Sequence, residues 1–427
     1  MIEADDPARV SRRQVFYIPG YDPIHPRRYR ELYRREGAAQ AAISGYDLTL
    51  TPRQGGRYGW GAAAKVDGAQ SSARFDVLVW ADIVRASMAR GIAGTYLALI
   101  RTVWTYLRTG TLRRLMWLRK GPVLAAFYPV VMLIGQALGA LGVGALLAHG
   151  AAAIAGWLYH SGASLIGLDP SVAAWPLGLR ALWWAVFVAV AVALLRWFKA
   201  QDSRFYAYYL MHDYAFACRY GGAYAPALQD RLAEFADAIA DALDSDVDEV
   251  LVVGHSSGAY LAVSILADLL RQGRVAPEGP ALSLLTLGQV IPMVSFLPKA
   301  TQLRADLHLL AASERMTWVD VSAPGDGCAF ALSDPVAVSG VAPAGQLWPL
   351  VVSAAFTQSL SPETWRALRW RFFRLHFQYL CAFDAPKDYD YFQITAGPLT
   401  LGARYRARAS SKSRIDVAAS RYTSMAA

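Results

Sequence analysis

Residues 249–272 read EVLVVGHSSGAYLAVSILADLLRQ, and this stretch decides the fold. The apolar run of residues 250–253 is typical of a buried β-strand. It leads into a short segment of small and polar residues, Gly254-His255-Ser256-Ser257-Gly258. An apolar stripe of helical period follows, formed by Tyr260, Leu261, Ile265, Leu266 and Leu269. The stretch therefore predicts a strand, a tight turn and a helix.

Gly254, Ser256 and Gly258 match the pattern G-x-S-x-G, and in this context the chain resembles the α/β-hydrolase superfamily. Small neighbours let strand and helix approach each other while the serine hydroxyl stands clear. The free N–H groups of the helix favour a developing negative charge. The resemblance implies an α/β fold, with a mostly parallel sheet flanked by helices and Ser256 as the nucleophile. A strand-to-helix turn without chemistry is the alternative.

A second motif lies near the N-terminus, where the apolar run of residues 15–18 ends at Pro19-Gly20-Tyr21. It resembles the superfamily loop whose backbone N–H groups help to form the oxyanion hole. The resemblance implies that the N–H of Tyr21, or that of Gly20, acts beside the N–H of Ser257. A plain turn is the alternative.

The superfamily orders its triad as serine, acid, histidine. His376 is the only histidine after residue 316, so a triad in this order has His376 as its base. A surface histidine among arginines is the alternative. His255 adjoins the nucleophile in sequence, which points its side chain away from that of Ser256, and we expect it to pack locally.

Four aspartates compete for the role of triad acid. Asp326 is preferred, because it lies in a glycine-flanked turn after the predicted strand at residues 316–322. An exposed turn carboxylate is the alternative for it. The remaining candidates are Asp320, Asp334 and Asp384.

The chain is more apolar than an ordinary soluble domain. Of its 427 residues, 55% are hydrophobic, and the mean hydropathy is +0.24, which favours membrane segments within a globular protein. The formal net charge is +9. Much of the basic excess lies beside apolar runs and in the C-terminal tail, so we expect a membrane surface and not nucleic acid as its partner.

Cysteine and histidine spacings predict no metal, disulfide or cofactor site. The three cysteines lie far apart and form no C-x-x-C pair, and the seven histidines show no H-E-x-x-H spacing. Residues 1–14 contain no apolar run of the kind found in secretory signals.

Two apolar blocks, residues 122–159 and 172–195, predict a membrane insertion. Both active-site strands must belong to one sheet, and they flank this insertion, so an even number of crossings is required. We expect an antiparallel hairpin of two spans, residues 122–144 and 178–198. Basic clusters border both spans on one side, which indicates a cytoplasmic catalytic domain and a bacterial inner-membrane location. A helical cap on a soluble lipase is the alternative.

The remaining pattern divides the chain into four parts. Residues 95–120 form a basic amphipathic segment of the kind that lies at a membrane surface. Helices are expected at residues 27–43 and 228–243, and strands at residues 46–51, 58–66, 74–80, 281–288 and 316–322. Residues 1–94 form an N-terminal portion of the hydrolase domain, and residues 95–200 the amphipathic segment with the hairpin. Residues 201–403 form the C-terminal portion of that domain, and residues 404–427 a flexible basic tail.

These features favour a membrane-anchored serine hydrolase that cleaves carboxylic esters, lipids among them. An acyltransferase with the same triad is one alternative, and a non-catalytic membrane scaffold with a hydrolase-like fold is another. The expected partners are a lipid bilayer and an ester or lipid substrate. The sequence leaves the substrate and the oligomeric state open.

Overall fold

The computed structural model describes residues 9–53, 55–166 and 175–426. The chain forms two compact units: Met1–Ser87 with Thr102–Ala125 and Phe216–Ala427, and Met88–Arg101 with Ala126–Ala215. The first unit contains an eight-stranded, mostly parallel sheet with helices, and the described part of the second is helical. The expectation of an α/β fold is confirmed at this level.

The strands are β1 (Arg12–Ile18), β2 (Asp47–Thr51), β3 (Gly59–Val66), β4 (Ala69–Val77), β5 (Glu249–His255), β6 (Ala281–Leu287), β7 (Thr317–Ser322) and β8 (Leu350–Ser353). The helices are α1 (Arg27–Ser44), α2 (Ala81–Met88), α3 (Ile92–Arg108), α4 (Thr111–Leu118), α5 (Lys120–Leu165), α6 (Trp175–Ala200), α7 (Asp202–Phe205), α8 (Ala207–Cys218), α9 (Pro226–Leu243), α10 (Gly258–Arg271), α11 (Ile291–Ser295), α12 (Thr301–Ala312), α13 (Pro335–Val338), α14 (Phe356–Ser359), α15 (Pro362–Leu368), α16 (Phe372–His376), α17 (Tyr391–Ala396) and α18 (Leu401–Tyr405), with a 3₁₀ turn at Gln378–Leu380.

The strands follow the order β2-β3-β4-β1-β5-β6-β7-β8. β1 and β4 to β8 run parallel, while β3 is antiparallel to both of its neighbours. The strands expected at residues 46–51, 58–66 and 74–80 correspond to β2, β3 and β4. They extend the main sheet, because β4 pairs with β1 in the register Val15↔Phe75. All seven residues of β5 are buried, as is typical of a central parallel strand.

The carboxyl ends of the parallel strands carry the residues of interest. The segments that follow β1, β5, β6 and β7 begin at Pro19, Ser256, Gly288 and Ala323. Parallel strands end at one edge of a sheet, and ligands bind outside that edge in open α/β sheets. The fold therefore brings segments separated by some 300 residues of chain to a common edge.

A buried ion pair joins the amino-terminal ends of β1 and β5. Arg13 Nε donates to Glu249 Oε2 over 2.5 Å, and neither side chain is exposed. Ser283 Oγ and the N–H of Leu401 both donate to Glu249 Oε1, over 2.6 and 2.7 Å. The guanidinium of Arg13 also donates to the carbonyl of Gly397. Because each partner is fully satisfied, the pair links the strands to the C-terminal segment.

The second unit contains most of α5 and α6. A Cβ on Gly144 of α5 would lie 3.1 Å from the carbonyl oxygen of Phe187 on α6, so the two helices approach closely there. The indole N–H of Trp183 donates to His149 Nδ1 over 3.1 Å. Large apolar side chains on both helices are exposed, among them Val131, Leu138, Leu146, Ile154, Val188 and Val192.

Two helices among the described residues are long and apolar enough to cross a membrane, Lys120–Leu165 and Leu177–Ala200. A third crossing would result if the bent pair Ala81–Met88 and Ile92–Arg108 counts as one span. The expected end of the first span at residue 144 differs from the structure, because the helix continues to Leu165. Residues 145–165 contain no proline that would end the helix earlier. Part of the expected connection, residues 167–174, lies outside the described residues.

The C-terminal segment differs from the expected flexible tail at residues 404–427, of which residue 427 lies outside the described part. The N–H groups of Ser411, Ile415 and Ala419 donate to the carbonyls of Val351, Leu332 and Val338. The side chain of Ala419 is buried. A polar segment without periodicity can still pack in this way, because its backbone hydrogen bonds need no particular side chains.

We expect Glu249→Gln to destabilise the protein by about 3–5 kcal/mol, because it leaves the buried guanidinium of Arg13 without a counter-charge. The matched control is Glu363→Gln. Glu363 pairs with Arg366 at the surface, where both side chains are more than half exposed, and a loss below about 1 kcal/mol is expected. Thermal unfolding of both variants in detergent measures the difference. Equal midpoints would contradict the role of the buried pair.

Candidate active site

Ser256 lies in the turn between β5 and α10 with φ = +56°, a left-handed conformation that few residues other than glycine adopt. A Cβ on Gly254 would lie 2.8 Å from Cα of Ala259, and a Cβ on Gly258 would lie 2.1 Å from the carbonyl oxygen of Ile18. Neither position accommodates a side chain. The two glycines therefore allow β5, α10 and the end of β1 to meet at Ser256.

The loop after β1 passes directly beside Ser256. A Cβ on Gly20 would lie 3.1 Å from Ser256 Cβ and 3.4 Å from Ser256 Oγ. The indole N–H of Trp80 donates to the carbonyl of Pro19 over 2.9 Å and holds this loop against the sheet. The structure thus brings the predicted oxyanion loop and the predicted nucleophile into contact.

The predicted oxyanion donors lie on both sides of this contact. Tyr21 follows Gly20 in the loop, and its side chain is buried against the rings of Trp80 and Phe216. Ser257 is the N-cap residue of α10. The first N–H groups of a helix have no partner within the helix, so they can donate to an anion held at Ser256.

Asp326 and His376 form a buried pair at the same edge of the sheet. His376 Nδ1 lies 2.7 Å from Asp326 Oδ2, and the two side chains are 8% and 0% exposed. The N–H of Cys328 donates to Asp326 Oδ1 over 2.9 Å. Burial by itself raises the pKa of Asp326, but the interaction with His376 and the donated hydrogen bonds outweigh it and hold the pKa below its ordinary value. Asp326 is therefore ionised and can orient the imidazole.

Two contacts bring this pair towards Ser256. The N–H of Ser256 donates to the carbonyl of Leu287, and a Cβ on the next residue, Gly288, would lie 3.1 Å from His376 Cε1. His255 Nε2 lies 3.0 Å from the carbonyl oxygen of His376. Within residues 9–53, 55–166 and 175–426, no hydrogen bond joins Ser256 Oγ to the His376 ring. Catalytic hydrogen bonds of this kind often form only when a substrate is bound.

The other three candidate acids are engaged elsewhere. Asp320 is buried within β7 and accepts from Thr286 Oγ1 over 2.6 Å. Burial raises its pKa to about 7, although the hydrogen bond from Thr286 opposes the shift. Asp334 caps α13, and Asp384 accepts from the N–H of Ser361. In the described part of the chain, Asp326 is the candidate that contacts His376.

Sequence reasoning missed Tyr379, which donates to the candidate acid Asp326. Its hydroxyl donates to Asp326 Oδ2 over 3.0 Å and accepts from the N–H of Ala323 over 3.0 Å. The Cβ position of Gly288 lies 2.6 Å from the Tyr379 ring and 3.1 Å from His376, so this ring also borders the candidate base. A tyrosine three residues after the predicted histidine is a weak signal, because many tyrosines in this chain occupy the core.

His255 packs beneath the pair. Its ring lies 4.8 Å from that of His376, centroid to centroid, and the residue is 2% exposed. Burial, with a smaller contribution from His376, lowers the pKa of His255 to about 3. The ring is therefore neutral at physiological pH, and its Nε2–H donates to the carbonyl of His376.

One group of potential metal ligands occurs among the described residues. An atom each of Asp326, Cys328 and His376 lies within 4.8 Å of the others. Two ligand atoms that share a zinc ion at about 2.0 Å are about 3.3 Å apart. The 2.7 Å contact between His376 and Asp326 is shorter, so its geometry fits a direct hydrogen bond.

The edge of the sheet thus combines a strained serine, a loop and a helix N-terminus beside it, and a buried histidine–aspartate pair. This arrangement can activate a hydroxyl and stabilise an oxyanion. No family model, no curated protein and no solved structure matches the chain. Function is therefore inferred from the chemistry of this site.

Acid should destabilise the protein through His255. Folding lowers the pKa of His255. The unfolded chain therefore binds a proton at this side chain below about pH 6.5, whereas the folded chain binds it only below about pH 3. The loss reaches about 2 kcal/mol at pH 5. We expect the thermal midpoint in detergent to fall less between pH 7 and pH 5 in His255→Gln than in the native chain. Equal falls would contradict this assignment.

Proposed function

We propose that the chain is a membrane-anchored serine hydrolase of the α/β-hydrolase class that cleaves carboxylic esters, lipids among them. The observation that carries the proposal is the buried bond of 2.7 Å between His376 and Asp326, at the sheet edge that also holds Ser256. The close contact of Gly20 with Ser256 supports it, because oxyanion donors must lie beside the nucleophile.

In the first half of the reaction, Ser256 Oγ attacks the ester carbonyl carbon while His376 Nε2 takes the hydroxyl proton. Asp326 holds the proton on Nδ1 and stabilises the imidazolium ion. The N–H groups of Ser257 and of Tyr21 or Gly20 donate to the carbonyl oxygen as it becomes negative. His376 then protonates the leaving alcohol, and an acyl group remains on Ser256.

In the second half, water replaces the alcohol. His376 Nε2 removes a proton from the water as it attacks the acyl carbon, and then returns that proton to Ser256 Oγ. The carboxylic acid leaves and the enzyme is restored. The proposed roles need no metal or cofactor, since the side chains transfer every proton and backbone groups bind the oxyanion.

A fluorophosphonate probe should label the purified protein in detergent at Ser256. We expect Ser256→Ala to abolish labelling, because the nucleophilic oxygen is removed. His376→Ala and Asp326→Asn should slow labelling by about 10²–10⁴-fold, since they remove the base or its orienting carboxylate. In-gel fluorescence over time gives the labelling rates.

Two neighbouring residues supply matched controls. Ser257→Ala keeps the backbone N–H, and Asp320→Asn changes a carboxyl group that does not contact His376, so both variants should label within about twofold of the native rate. A folded native protein that does not label would favour the non-catalytic scaffold. Unaffected labelling in Ser256→Ala would place the nucleophile elsewhere.

We also propose that α5 and α6 cross a bacterial inner membrane as two antiparallel spans, with the catalytic unit in the cytoplasm. The clusters of residues 113–120 and 196–199 supply basic side chains before the first span and after the second. Such clusters stay on the cytoplasmic side of short-looped membrane proteins.

Reporter fusions test this topology. Alkaline phosphatase fused after residue 166 should be active, because two spans place that residue in the periplasm. Green fluorescent protein fused to the C-terminus of the whole chain should fluoresce, since that end stays in the cytoplasm. Three crossings, with the bent helix pair as a span, would put residues 1–80 and the C-terminus on opposite sides. An N-terminal fusion of each reporter separates the two arrangements.

A further inference from the structure

The segment that leads into His376 exposes a group of basic and aromatic side chains. Trp370 is 74% exposed and Phe372 is 46% exposed, so two large rings lie in solvent two residues apart. We call these residues the arginine–aromatic patch: Arg366, Arg369, Trp370, Arg371, Phe372 and Arg374. Each is classed as exposed, although the patch ends only two residues before the buried His376.

The patch carries positive charge that the protein does not neutralise. Arg371 and Arg374 form no ion pair with any residue in the described ranges. Arg369 lies over the ring of Trp370 at 5.6 Å. Among the residues that the structure describes, Arg366 alone of these arginines has a carboxylate partner. Arginine next to exposed aromatic rings is the composition that anionic membrane surfaces attract, since the rings enter the interface and the guanidinium groups meet phosphate.

The patch is also continuous with the start of the first apolar helix. A Cβ on Gly327 would lie 3.2 Å from the Phe372 ring, so Phe372 packs on the loop of the acid Asp326. A Cβ on Gly121, in the first turn of α5, would lie 3.8 Å from Cα of Gly327. The loop that carries Asp326 therefore lies between the patch and the first turn of α5, and it contacts both.

This contact sets the level of the patch relative to a bilayer. The first turns of α5 belong to the same compact unit as the patch, and the apolar run begins at residue 122. If α5 enters the bilayer there, the aromatic rings beside Gly327 lie at the depth of the lipid headgroups. Trp117 is 65% exposed just before this point, as expected of an interfacial tryptophan.

We infer that the arginine–aromatic patch binds anionic phospholipid headgroups and that this contact holds the segment carrying His376. The inference rests on the proposed function, because it assigns the patch a role in positioning the base. Arg371 and Arg374 are positioning residues, which act through His376 and touch no reacting atom. Each contributes about fivefold to the affinity of the patch for an anionic surface.

The first experiment measures the contact without relying on activity. Hydrogen–deuterium exchange of the full chain is followed in nanodiscs of phosphatidylcholine alone and of phosphatidylcholine with about one third phosphatidylglycerol. We expect slower amide exchange at residues 366–376 in the anionic discs, by threefold or more, and no change at residues 342–349. The second segment precedes β8 at the opposite edge of the sheet, away from the patch.

A matched pair of variants assigns the effect to the patch. Arg371→Gln with Arg374→Gln should lose the protection in anionic discs. Arg27→Gln with Arg30→Gln should retain it, because these arginines are also exposed, three residues apart and without an ion-pair partner among the described residues. Salt at 1 M should remove the protection from the native chain, since it screens charges beyond about 3 Å.

The labelling rate at Ser256 separates this inference from the proposed function. We expect the native chain to label about threefold faster or more in the anionic discs, and the Arg371/Arg374 variant to label equally in both. Labelling in both lipids without lipid-dependent protection overturns the inference and leaves the hydrolase intact. Protection without labelling in any disc overturns the hydrolase, and with it the role of the patch in positioning a base.

Discussion

The structure depends on how closely the start of α10 approaches the end of β1. The Cβ position of Gly258 overlaps the carbonyl oxygen of Ile18, so a single methyl group would push helix and strand apart. This approach makes β5 turn sharply and holds Ser256 in the left-handed region. It also brings Gly20 against the serine. One steric constraint thus places Ser256, the neighbouring loop and the helix N-terminus together.

The surroundings of two buried aspartates shift their pKa values in opposite directions. Asp326 and Asp320 are both buried and lie six residues apart along the chain. Asp326 receives bonds from His376, Tyr379 and a backbone N–H, and its pKa falls. Asp320 receives one bond, from Thr286, and its pKa rises. The imidazole and the donors at the turn therefore outweigh burial at Asp326, whereas burial prevails at Asp320.

Local patterns predict most of what surrounds Ser256, since the strand, turn and helix are encoded by adjacent residues. Chain order then singles out His376, and a glycine-flanked turn favours Asp326 among four aspartates. The fold brings these two side chains to hydrogen-bonding distance. The role of Tyr379 could not be predicted from the sequence, because its partner Asp326 lies 53 residues away and no sequence pattern relates the two residues. β8 could not be predicted for another reason, since four residues are too few to show an alternation of apolar and polar side chains. The packed C-terminal segment is held through its backbone, which leaves no mark in side-chain composition.

The position of β1 has a consequence for biosynthesis. β1 is made first, yet β5, which pairs along one of its edges, follows about 236 residues later, as the separation of Arg13 and Glu249 shows. Ribosomes add about 5–20 residues per second, so that edge stays open for about 10 to 50 s. Both apolar helices emerge during this interval. The chain therefore emerges as a half-built sheet, and a cell that makes it has to shield an exposed strand edge until translation passes residue 255.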